Sequence, residues 1–288
     1  MDDAARARGV RDTLLIILVL NALVVAIKVA VGLRTNALSV LGAAVESALD
    51  VLNNVVGVVL VRLAARAPDE EHPYGHAKFE TLGALGIAGF LSISCFELLR
   101  EAVRHIVAGD HARPPSVVEA VVLASTMAVN VFVVRYERRR GRELESPFLL
   151  ADAAHTGADI WVTAAALGSL LLALVGWGAI DPAIAIGVAL VIAWSGYQIV
   201  RGTVPVLVDE RGLRADDLRR EAASVAGVAE VRAVRSRRLA SGVISAEITI
   251  GVRATMSVAD AHRLTDEVEA RIARQLGATD VLVHVEPV

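Results

Sequence analysis

Apolar positions along the chain gather into six long runs, at 13–33, 38–63, 81–106, 116–136, 147–175 and 181–203. Each reaches the roughly 20 residues that an α-helix needs to cross a hydrocarbon core of about 30 Å. The pattern predicts six transmembrane helices. A very short turn, Gly176-Trp177-Gly178, separates the last two, and Asp181-Pro182 opens the sixth with proline at the first helical position. From residue 206 the apolar runs shorten and charges of both signs return. There 213–226 reads as a helix, and 230–239 and 243–252 alternate like strands around Ala240-Ser241-Gly242. A helix is predicted over 257–276, with Ser257 as N-cap, Asp260 in a capping-box position and Gly277 as terminator, and a strand over 280–285. The fold class is therefore an all-α six-helix transmembrane domain, residues 1–205, followed by a small α+β domain of order αββαβ, residues 206–288.

Composition agrees with the pattern. Of 288 residues 55% are hydrophobic, and the mean hydropathy of +0.56 is too high for a soluble protein of this length. The formal net charge of −3 points to no charged macromolecule, and no nucleic acid is expected as a partner. A single cysteine, Cys95, excludes an intramolecular disulfide and a thiolate-rich metal site. Arginines cluster at 6, 8 and 11, at 66, and between 135 and 142, in loops on one side of the predicted spans, with Lys78 beside them. The positive-inside rule then places both termini in the cytoplasm of a multi-pass cell-membrane protein, with the N-terminal stretch as a cytoplasmic lead-in rather than a signal peptide.

The second run carries Glu46 and Asp50, about 12 and 18 Å in from Leu38 at 1.5 Å per residue. The i, i+4 spacing puts both carboxylates on one helix face, about 6 Å apart. An ionised group at that depth costs on the order of 3 kcal/mol. A divalent cation, a proton or a cationic partner would each offset the cost, as would a water-facing stripe. The fifth run mirrors the second: His155 and Asp159 are again i, i+4, with Asp152 one turn earlier. Glu46, Asp50, His155 and Asp159 can together supply four ligands. Carboxylates with one imidazole suit tetrahedral Zn²⁺, while Mn²⁺ and Fe²⁺ accept similar donors. Asp152 and Asn53 are expected to orient His155 and Asp50 from behind. In the loop after the second run, Asp69, His72 and His76 are spaced for a surface metal site, although a solvated polar turn broken by Pro73 and Gly75 fits the same residues.

The segments Glu46-Ser47-Ala48-Leu49-Asp50, Arg66 to His76, Ala151 to Asp159 and Asp181 to Glu210, in that order, resemble the cation diffusion facilitator family over nearly the whole chain. The resemblance implies a homodimeric six-helix exporter with a cytoplasmic, metallochaperone-like C-terminal domain, exchanging Zn²⁺, Fe²⁺, Mn²⁺ or Co²⁺ for protons, and no enzyme. It puts the transport site on Glu46, Asp50, His155 and Asp159 and a loop site on Asp69, His72 and His76. It also puts parts of a C-terminal metal cluster on His262, His284 and Glu286. Glu46 departs from the usual Asp or His. Glu247 and Arg232 stand where that cluster has ligands, so a weakened C-terminal site is expected. Zn²⁺ is the leading substrate. The competing readings are a carrier in which the intramembrane acids serve protons alone, a membrane-embedded metalloenzyme, and a metal-sensing interaction protein. Lys28 and Glu97, both in apolar runs, have no assigned role; they are either paired with each other or close to the interface.

Overall fold

The computed structural model describes residues 3–35, 38–108, 117–174, 180–239, 243–278 and 280–288. The predicted 176–178 turn and the 240–242 hairpin lie outside them. The chain divides into two compact units, Met1–Thr203 and Val204–Val288.

The first unit is built from α1 (Asp3–Thr35), α2 (Leu38–Ala64), α3 (Lys78–Ala108), α4 (Val117–Glu143), α5 (Pro147–Leu174) and α6 (Asp181–Leu207). Among the described residues, α1, α2, α3, α4 and α6 are long and apolar enough to cross a membrane. Helix α5, with its intramembrane Asp152, His155 and Asp159, is 28 residues long, about 42 Å at 1.5 Å per residue. Several helices outrun their apolar stretches. Helix α1 begins ten residues before Thr13, and α4 carries on through the arginine run to Glu143, because arginine is a good helix former and its stem lies along the surface. Helix α6 continues to Leu207 and tolerates Pro205 in its last turn.

At one end of the bundle Val10 and Leu14 of α1, Val58 and Val61 of α2, Ala84 and Ile87 of α3, and Phe148 and Leu149 of α5 form a buried core. Phe148 sits in a notch made by two glycines. A Cβ on Gly57 would lie 2.4 Å from the Phe148 ring, and one on Gly83 would lie 2.8 Å from it. Polar groups close the same end. Arg6 donates to Glu80 Oε2 at 3.0 Å, to the Leu144 carbonyl at 2.8 Å and to the Glu145 carbonyl at 3.0 Å. Glu80 also accepts from Ser146. A buried carboxylate is thus fully partnered, as burial requires.

The second unit holds α7 (Ala215–Ala223), β1 (Glu230–Arg238), β2 (Ile244–Val252), α8 (Val258–Leu276) and β3 (Asp280–Pro287). The sheet order is β1-β2-β3, with β1 antiparallel and β3 parallel to β2. Leu218 and Ala222 of α7 and Leu264, Val268 and Ile272 of α8 pack with Ala246, Ile248 and Ile250 of β2 in one core. Helix α7 starts two residues later than the apolar pattern suggests, because Leu213 is held outside it. Its backbone N–H donates to Ser236 Oγ at 2.9 Å, and its carbonyl accepts from the same hydroxyl at 3.1 Å. Ser257 caps α8 by accepting from the Asp260 N–H at 3.2 Å, and Gly277 ends the helix at φ 70°.

Candidate metal centre

Helices α2 and α5 bring Asp50, His155 and Asp159 together. Nε2 of His155 lies 3.4 Å from Asp50 Oδ1 and 4.0 Å from Asp159 Oδ2. One donor atom from each of the three lies within 4.8 Å of the others. Ligands about 2.1 Å from a tetrahedral Zn²⁺ stand about 3.4 Å apart, so closing around an ion needs movements of roughly an ångström or less. The rows of small residues on α5, Ala151 to Ala158, leave room for these side chains between apolar helices.

Glu46 is not part of this cluster. It lies one turn before Asp50 on α2 and its side chain is exposed. The four-ligand set expected from the sequence is therefore a three-residue cluster here, with the fourth carboxylate one helical turn away.

The expected supporting contacts need correction. Asn53 does not orient Asp50, and Asp152 does not hold His155. Instead Asn53 Nδ2 donates to Asp152 Oδ1 at 2.9 Å, and Asn54 Nδ2 donates to Asp152 Oδ2 at 3.0 Å. Asn21 Nδ2 in turn donates to Asn54 Oδ1 at 2.8 Å, which ties α1 to α2. Among the described residues, Nδ1 of His155 is buried without a hydrogen-bond partner. The reason lies in helix rotation: Asn53 is three residues beyond Asp50, and its amide reaches across to the turn of α5 before His155.

Sequence reasoning passed over Asn54 and Glu137. The signal for Asn54 was a pair of adjacent amides in an apolar helix. Glu137 was hidden among arginines, yet it is wholly buried. It lies within hydrogen-bonding reach of the Asp152 carboxyl, and among the described residues its oxygens meet no amide, hydroxyl or cationic donor. Lys28 does not pair with Glu97. Its Nζ donates to Ser47 Oγ at 2.8 Å and to the Ala43 carbonyl at 3.3 Å, while Glu97 is exposed.

The loop between α2 and α3 gathers its three predicted residues. Asp69 Oδ1 faces His72 Nδ1 at 3.3 Å and Asp69 Oδ2 faces His76 Nε2 at 3.3 Å. The two imidazole centroids are 4.3 Å apart. The His72 backbone N–H, donating at 2.7 Å, holds the Asp69 carboxyl below the usual aspartate value. This geometry is a second cluster fit for a divalent cation.

In the C-terminal unit His262, His284 and Glu286 are not brought together. His262, on α8, faces Asp266 at 3.9 Å and is largely exposed. His284 Nε2 stands 3.8 Å from Glu286 Oε1, whose other oxygen accepts from Arg232. Arg232 also donates to Glu230 at 2.6 Å, so its guanidinium takes the place a cation would need. Glu247 is exposed on β2, opposite Arg235 of β1.

Residues 14–208 match the family described as cation efflux transmembrane domain, and residues 211–288 match the one described as cation efflux protein, cytoplasmic domain. The chain belongs to the cation diffusion facilitator family. As a member it is a multi-pass cation efflux transporter of divalent metals, with a cytoplasmic C-terminal domain. It is similar to the cation-efflux pump FieF of Escherichia fergusonii, at 28% identity over 271 residues, covering 92% of this chain and 89% of that protein. The FieF of Citrobacter koseri is 27% identical over 274 residues, covering 93% and 90%. That of Klebsiella pneumoniae subsp. pneumoniae is 29% identical over 269 residues, covering 91% and 87%. Among solved structures, a MamM CTD shares 26% identity with a TM-score of 0.24, covering 25% of this chain and 92% of that one.

Proposed function

We propose that this cation diffusion facilitator exports Zn²⁺ from the cytoplasm in exchange for protons, through Asp50, His155 and Asp159 with Glu46 as fourth ligand. The observation that supports this best is His155 Nε2 standing between Asp50 and Asp159 inside an apolar helix bundle. Two carboxylates and one imidazole suit a borderline cation that must also be released, since no thiolate holds it. Loading needs deprotonated carboxylates and a neutral imidazole, so metal binding expels protons and protons expel metal. The ion that arrives from the cytoplasm draws Glu46 in by a rotation of its side chain. Rocking of the helices that carry the site then opens it to the other face, where protons displace the ion.

The arginines at one end of the bundle favour a cytoplasmic location for both termini in the cell membrane. The C-terminal α+β domain serves as the homodimerisation surface. The protein carries out no covalent chemistry on its substrate and is a transporter, not an enzyme. The same site accepts Mn²⁺, Fe²⁺ or Co²⁺ as the alternative substrate, because oxygen and imidazole donors do not by themselves decide among them.

Purified protein in liposomes with an imposed pH gradient tests the reading. Zn²⁺ movement that needs both the gradient and Asp50 supports it. Preference for another of the four metals moves the substrate and keeps the mechanism. Proton flux without any metal movement overturns it in favour of a proton-only carrier.

A further inference from the structure

A second polar cluster stands at the opposite end of the bundle from Arg6 and Glu80. On α3, His105 Nε2 lies 3.0 Å from Glu101 Oε1, and Nδ1 of the same ring lies 3.8 Å from Asp181 Oδ2 at the start of α6. His105 is mostly buried, with 15% of its side chain exposed. These three residues close one side of a cavity of about 160 Å³ whose remaining wall is apolar: Leu98, Ala102, Val162, Ala166, Ala185 and Val188 among others. That volume has room for several waters.

The cavity reaches α5 at Val162, about one helical turn beyond Asp159 of the central cluster. On α5, Val162 and Ala166 follow Asp159 by three and seven residues, so they lie on the helix stripe that carries His155 and Asp159. Val162 is about 4.5 Å further along the helix axis than Asp159. The helices around the cavity thus connect the central cluster with Glu101, His105 and Asp181 without an intervening charged side chain among the described residues.

The arrangement differs from a metal site. Its carboxylates approach opposite nitrogens of one ring, so the three side chains do not converge on a common point. Nε2 is within hydrogen-bond distance of Glu101, and Asp181 at 3.8 Å faces Nδ1 at ion-pair distance, so a second proton on the ring would meet a carboxylate on each side. Among the described residues, few other charged groups stand near it. On α3, Arg104 is bonded to Glu101, and Arg100 and Glu97 are exposed. Helix α5 contributes only Val162, Ala165 and Ala166, and α6 contributes Asp181.

We infer that Glu101, His105 and Asp181 form a proton-loading site, which takes protons from the medium on that face and passes them through cavity water to the metal centre. A hydronium ion gives its proton to a lone pair on His105 and leaves as water. The proton then moves by way of water to an oxygen or nitrogen of the central cluster, and His105 returns to neutral. This rests on the proton exchange proposed above.

The test uses the full chain in liposomes, with Zn²⁺ flux measured while the pH on the face away from the termini is varied. His105→Gln and Asp181→Asn are compared with the wild type, and Zn²⁺ binding to each protein in detergent is measured in parallel. The expected result is that both variants bind Zn²⁺ as tightly and in the same number as wild type. Each needs a medium roughly one pH unit more acidic on that face, tenfold more protons, to reach half its maximal flux. A wild-type profile in both variants overturns the inference while proton coupling of the wild type stands. Loss of one Zn²⁺ equivalent in His105→Gln overturns it in favour of a metal site. Wild-type flux that ignores the gradient removes the exchange reading and this site with it.

Discussion

Nε2 of His155 faces Asp50 Oδ1 at 3.4 Å from the neighbouring helix, while Nδ1 of the same ring has no hydrogen-bond partner among the described residues. The ring is held from the ligand side alone. Replacing Asp50 therefore removes a donor and at the same time the main contact that aims the imidazole. Asp50→Ala and His155→Ala should each lower Zn²⁺ affinity by more than the roughly 10- to 100-fold typical of losing a supporting contact, and should abolish flux. Calorimetric titration in detergent gives the first quantity and liposome uptake the second. Uptake retained in either variant contradicts the three-residue centre.

Asp152 makes a contrasting case. It accepts from both Asn53 and Asn54 and touches neither ligand through a hydrogen bond. Asn54→Ala leaves a buried carboxyl with one donor fewer and strands the Asn21 amide, at a cost of about 1–3 kcal/mol for each buried polar group left unpaired. The expected outcome is a lower midpoint in thermal unfolding, with Zn²⁺ affinity changed less than tenfold. A large loss of affinity without a loss of stability would instead make the asparagines part of ligand positioning.

The Phe148 notch predicts a packing effect with a clear sign. A methyl group on Gly57 meets the fully buried ring at 2.4 Å, and the ring is flanked by Gly83 on the other side. Gly57→Ala should cost about 1–3 kcal/mol through overpacking. The double variant Gly57→Ala/Phe148→Leu should recover part of that loss, because the smaller side chain yields the space. Unfolding midpoints of the single and double variants measure both.

The loop carboxylate has a pH signature. The His72 backbone N–H holds Asp69 below its ordinary value, so the folded pKa is lower than the unfolded one. Its contribution to loop order is fully present above about pH 4 and is lost only as the pH falls through the lowered value. The amide resonance of His72 should accordingly report a bonded N–H from pH 7 down to at least pH 4. In Asp69→Asn the low-pH transition of that resonance should vanish.

Much of this was legible in the residues. The i, i+4 pairs on two apolar helices pointed to the candidate metal cluster of Asp50, His155 and Asp159, because an intramembrane carboxylate needs a reason to be there. Ser257 and Gly277 marked both ends of α8 through local chemistry alone. What the sequence could not supply is azimuth. Whether Asn53 turns to Asp50 or to Asp152 depends on how α2 is rotated against α5, which is set by packing such as the Phe148 notch and not by spacing along one helix. The same holds for Glu46, whose spacing matches its partners but whose side chain points outward. His105 and Asp181 are 76 positions apart, and only the meeting of α3 with α6 makes them neighbours.

The glycine notch also has a mechanical consequence. Where Phe148 wedges between Gly57 and Gly83, three helices meet almost backbone to ring, and Arg6 and Glu80 clamp the same end. The far end holds a cavity instead. Under the proposed orientation, a bundle pinned at one end and slack at the other would move like a pair of tongs: small angular changes at the joint would become their largest displacements beyond His155, on the face assigned to ion release.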